Sequence, residues 1–142
     1  DHAMTRIEFY VLPGDQPDER LKTACKLTLK AWRQGLPVFL RCTDAQQCQA
    51  LDELLWQFRA DTFVPHNLHS EDPLAPVVIG LNQAPAEENG LLVNLAGDIS
   101  AHLPQFQRII EIIDQQPEML AAGRDNFRSY RQRGYDPRRV EL

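Results

Sequence analysis

Pro37–Cys42 (PVFLRC) is a short apolar run with the character of a strand buried in a parallel sheet. Parallel strands need crossover connections, so this run asks for helices before and after it. Both are present. Upstream, Thr5–Leu12 reads as a first strand, with Ile7, Phe9 and Val11 alternating with Arg6, Glu8 and Tyr10. Pro13-Gly14 ends it. Pro17 then opens a helix whose apolar face carries Leu21, Ala24, Cys25, Thr28, Ala31 and Trp32 and which stops at Gly35. Downstream, Asp44 is placed to N-cap a second helix bearing Cys48, Leu51 and Leu55.

The remainder keeps the alternation. A polar, proline-containing loop (His66–Pro76) leads to a third strand at Val77–Gly80, and a mobile polar loop (Asn82–Asn89) to a fourth at Leu91–Leu95. Pro104 is expected to start a helix on the amphipathic stripe Phe106, Ile109, Ile110, Ile113. Pro117 opens a last helix running to about Gly134, where Asp136-Pro137 prevents continuation. No internal repeat is present. The expectation is an α/β, three-layer Rossmann-like domain with a largely parallel sheet.

The 142 residues make one domain, read as Met4–Leu142, with Asp1, His2 and Ala3 as a tag remnant. No segment approaches the ~18 consecutive apolar residues of a membrane span, and no signal peptide is visible. Cys25, Cys42 and Cys48 form no CxxC pair, which suits a reducing cytoplasm. The net charge of −5 is uneven: from Arg124 to Leu142 six arginines face three acids, leaving +3 there and −8 on the rest. An acidic body with one basic end argues against broad nucleic-acid binding and fits a local site for an acidic partner.

Catalytic and cofactor chemistry is not written in the chain. The first strand–helix turn, LPGDQPDER, has neither GxGxxG nor GxxxxGK[ST], and its acids would repel phosphate, so the domain lacks a phosphate-binding loop. His66, His69 and Asp72 lie close in sequence without a further ligand at a recognisable metal spacing. Ser70, Ser100 and Ser129 sit in no GxSxG elbow, and the cysteines occupy packed positions. No cofactor is implied.

Two stretches stand apart. Leu51–Leu68 begins as a helix (Leu51, Leu54, Leu55, Phe58) and breaks into an extended piece with Phe63, Val64 and Pro65. Trp56 falls off the apolar stripe and Phe63 lies in the loop, so these aromatics form either a contact surface or a satellite cluster beneath that loop. In LAAGRDNFRSYRQRGY, Arg124, Arg128 and Arg131 follow one helix face with Phe127 beside them. That row is either a solvated basic end complementing the macrodipole or a clamp for a peptide carboxylate.

FYVL in the first strand, AWRQG ending the first helix, LDELLWQF, DTFVPHNL and FRSYRQRGY together resemble the chi subunit of bacterial DNA polymerase III holoenzyme, over nearly all of Met4–Gly134. FVPHNL following LDELLW is quite specific to that family. The resemblance implies a non-catalytic accessory subunit of the clamp-loader assembly, with DNA reached only through a partner. It implies that Trp56 and Phe63 face the psi subunit. Arg124, Phe127 (usually tyrosine) and Arg128 (usually lysine) would hold the acidic, phenylalanine-ended tail of single-stranded DNA-binding protein, SSB. A further basic residue of the family is Leu120 here, and the loop before the last helix is shorter. A helicase-like protein competing for the psi surface is also compatible with the resemblance. A direct single-stranded DNA-binding module is the alternative, and it needs basic and aromatic residues spread over several nucleotides. An enzyme on the same fold is the third reading, disfavoured by the missing phosphate loop.

Overall fold

The computed structural model describes residues 5–57 and 65–142. In chain order the elements are β1 (Arg6–Val11), α1 (Pro17–Arg33), β2 (Val38–Arg41), α2 (Ala45–Gln57), β3 (His66–Leu68), β4 (Val77–Gly80), β5 (Gly90–Asn94), β6 (Phe106–Ile113), α3 (Pro117–Gln132) and β7 (Arg138–Glu141). The strands form one sheet in the order β3-β4-β2-β5-β6-β1-β7, and every pairing is parallel. The three layers follow from the pleat, because successive side chains point to opposite faces. Leu40, Leu91, Val93, Ile110 and Ile112 meet Ala24, Cys25 and Leu29 of α1 and Cys48, Leu51 and Leu55 of α2. Phe9, Leu92 and Ile109 meet Phe127 and Tyr130 of α3 on the other face.

Residues 106–113 are a strand where the periodicity suggested a helix. Pro104 belongs only to a 3-10 turn, Leu103–Gln105. β6 is hydrogen-bonded to β1 on one side and β5 on the other, and Ile109–Ile113 are all buried. A strand covered on both faces shows no alternation, and its isoleucines matched helical spacing by coincidence. β3 and β7 also carried no signal as strands: β3 is three residues inside a polar segment, and β7 is an exposed edge of sequence RRVE.

The helix ends follow their sequence chemistry. The Asp44 carboxylate accepts the Gln47 amide at 2.8 Å, while the Gln47 side chain reaches back to the Thr43 amide at 2.8 Å. After α3 the chain turns through Gly134 at φ 92°, a left-handed conformation that favours glycine, and so returns to the sheet as β7.

The inter-strand registers align one row of residues across the α3 face: Arg41, Asn94, Glu111, Phe9 and Arg139, on β2, β5, β6, β1 and β7. Its first part is a buried polar network. Arg41 donates to Asn82, Asn94 and Asp98, and Asn94 donates to Glu111 Oε2 at 2.8 Å. Glu111 Oε2 also accepts the Tyr130 hydroxyl of α3 at 2.6 Å. Burial pushes the Glu111 carboxyl up to about 7, against the opposing pull of Asn94, Tyr130, Arg41 and Arg20.

Folding thus raises this pKa above its ordinary value, and the associated stabilisation is complete below about pH 4.5 and fades as pH rises through about 7. Glu111→Gln preserves the acceptor and removes the titration. Between about pH 5 and pH 8 the urea midpoint of the wild type should fall relative to that of Glu111→Gln. Parallel pH profiles for the two proteins would contradict this.

Candidate functional site

The basic helix forms one wall of a groove of about 490 Å³ on the α3 face. Its floor is Phe9 and Val11 of β1 and Ile113 of β6. The α3 wall contributes Leu120, Gly123, Arg124, Phe127 and Arg128, and β7 adds Arg139 at the far side. Gly123 keeps the helix close to the sheet, since a Cβ there would lie 3.0 Å from Ile113 Cδ1. Phe127 is half-buried, its ring centroid 5.3 Å from that of Phe9. Leu120 makes that end of the groove apolar. The groove therefore joins an apolar slot to three guanidinium groups, suiting a ligand with a ring and carboxylates.

The sequence-derived residues Arg124, Phe127 and Arg128 are brought together in this groove. Arg131 is not part of its lining: its guanidinium sits over the Phe127 ring, 5.9 Å from the centroid. Arg128 pairs with Asp125 one turn away on the helix surface. Phe9, Val11, Ile113 and Arg139 were missed as site residues. The first three read simply as core. Arg139 was visible only as charge, because its position comes from the pairing of β7 with β1.

The second surface is at the other end of the sheet and on its opposite face. Trp56, near the end of α2, is 59% exposed. Its ring meets the His66 ring edge-on at a centroid distance of 4.9 Å. His66, on edge strand β3, is buried and lies 3.3 Å from the Asp52 carboxylate of α2. Asp52 and Trp56, one turn apart on α2, thus both meet His66 of the sheet edge, while the indole stays largely exposed. Phe63, the other aromatic singled out in this stretch, lies outside the described residues. Six strand spacings of about 4.8 Å put β3 and β7 roughly 29 Å apart.

Burial raises the Cys25 thiol to about 12 and pushes those of Cys42 and Cys48 up as well, so none is a ready thiolate. No group of three or more His, Cys, Asp and Glu side chains suited to a metal occurs among the described residues. None of their helices is long and apolar enough to cross a membrane.

Residues 4–138 match the family described as DNA polymerase III chi subunit, HolC. The chain belongs to the DNA polymerase III chi-subunit family. Chi from Pseudomonas aeruginosa is 46% identical over 132 residues, covering 93% of both chains. The Escherichia coli K12 protein is 29% identical over 140 residues, covering 94% of this chain and 95% of its own. Chi from Haemophilus influenzae is also 29% identical, over 132 residues and 91% of this chain. These chi proteins match over nearly their whole length, so both surfaces lie within the shared domain.

If the Trp56 indole is a presented surface, removing it should cost the fold little. Trp56→Ala should lower unfolding free energy by at most about 1 kcal/mol, whereas Leu55→Ala beside it should cost about 2–5 kcal/mol. Urea titrations of the two variants give the comparison, and similar losses would make Trp56 part of the core.

Proposed function

We propose that this chi-family chain is a non-catalytic adaptor of the DNA polymerase III clamp-loader assembly, holding psi through Trp56 and Phe63 and the SSB tail through the α3 groove. The observation that carries the reading is the groove, in which Arg124, Arg128 and Arg139 surround an apolar floor. The terminal phenylalanine of the tail packs against Phe127 on that floor. One α3 arginine pairs with its carboxylate, and the others meet the upstream acids. Each charge-assisted bond contributes ~1.5–3 kcal/mol and the ring a further ~1.5–3 kcal/mol. After ordering and desolvation costs, the sum corresponds to about micromolar affinity.

The adaptor reading also draws support from the polar row at the strand ends. Ligands of open α/β sheets bind outside the carboxyl ends of the strands. Here Arg41, 4% exposed, donates there to Asn82, Asn94 and Asp98 of the same chain. The separation of the two surfaces lets both partners bind at once, linking the clamp loader to SSB-coated template.

The test is a titration with a fluorescent acidic peptide ending in Asp-Phe, at low and high salt, beside a peptide lacking the final Phe. Binding should be near micromolar, require the Phe and weaken with salt. Arg124→Ala and Arg128→Ala should each reduce it about tenfold, while Trp56→Ala should leave it unchanged and reduce psi capture. Loss of peptide and psi binding together in one of these variants would refute the two-surface scheme. Tight binding of a single-stranded oligonucleotide without SSB would favour the direct DNA-binding module instead.

A further inference from the structure

The β1–β7 register places Arg139 beside Phe9 and Glu141 beside Val11. Phe9 and Val11 form the groove floor, so both β7 side chains stand on the groove face of the sheet. Arg138 is registered with Glu8 instead, on the opposite face, and pairs with Asp136 at 2.8 Å. Arg139 is paired within its own strand, its Nε 2.6 Å from a Glu141 carboxylate oxygen, and both side chains are about two-thirds exposed at 64% and 65%.

We propose that Arg139 is a specificity-determining residue of the groove, binding an acidic side chain upstream of the ligand's terminal ring, and that Glu141 is its built-in competitor. The inference rests on the acidic-tail reading and adds a second basic wall to it. An extended peptide whose ring sits on the floor beside Phe127 leaves the slot between α3 and the β7 edge. Its preceding carboxylates then pass arginines on both sides. Binding exchanges the Arg139–Glu141 pair for one with the ligand. An exposed internal pair is weak, so the exchange is possible, and it discriminates against ligands without a carboxylate at that position. A neutral peptide with the same terminal ring would meet an arginine already satisfied by Glu141.

The test uses two fluorescent peptides of equal length ending in Phe, one with acidic residues before the terminal Asp-Phe and one with serines there. Arg139→Ala should weaken the acidic peptide about two- to fivefold, the range of an exposed ion pair, and leave the serine peptide unchanged. Glu141→Gln should tighten the acidic peptide by a similar factor, and the gain should vanish when Arg139→Ala is also present. Arg138→Ala removes the same charge from the opposite face and should match the wild type. If Arg139→Ala binds the acidic peptide like wild type while Arg124→Ala weakens it, the inference is wrong and the acidic-tail reading stands. If Arg138→Ala and Arg139→Ala weaken binding equally, the effect is bulk charge and Arg139 has no specific role. If the wild type binds neither peptide, both readings fall.

Discussion

The hydrogen bond from the Tyr130 hydroxyl to Glu111 joins α3 to the centre of the sheet, and the α3 groove depends on that junction. Tyr130 is fully buried and Glu111 is 2% exposed, so neither polar group has water as a substitute partner. Leaving either unpaired would incur a desolvation cost of about 1–3 kcal/mol or more. The bond therefore specifies how α3 lies on the sheet as well as stabilising it. Phe127 precedes Tyr130 by one turn, and both rings pack on Phe9. Fixing Tyr130 consequently fixes the aromatic wall of the groove and the arginines on either side of Phe127.

A second constraint is the return of the chain after α3. Gly134 permits the left-handed turn, Tyr135 is buried against Tyr130, and β7 then pairs in parallel with β1. The result is a slot with a helix on one side and a sheet edge on the other, lined by arginines from two directions. Exposed ion pairs such as Arg128 with Asp125 and Arg139 with Glu141 hold those cations in place at small energetic cost.

The sequence alone determined the α/β class, helices α1, α2 and α3, the Asp44 cap, the missing phosphate loop and the neighbourhood of Arg124, Phe127 and Arg128 on one helix. These properties are local: amphipathic periodicity, capping residues and i, i+3, i+4 spacing are complete within a few turns. The family motifs added the chi family itself, which patterning left open. The strand at 106–113 misled because burial on both faces removes the period that distinguishes strand from helix.

Tertiary structure alone decided the sheet order, the register and everything that depends on them. Arg41, Asn94 and Glu111 look like isolated polar residues in apolar strands, and only the register lines them up as one satisfied network reaching Tyr130. Arg139 and Phe9 are 130 positions apart in the chain yet adjacent across two strands. The polar segment at His66 became an edge strand because β4 supplied its backbone partners and Asp52 met its imidazole. Hydrogen-bond pairing between strands carries no signature in either strand by itself, so the groove's second wall and the mounting of Trp56 emerge only in the folded chain.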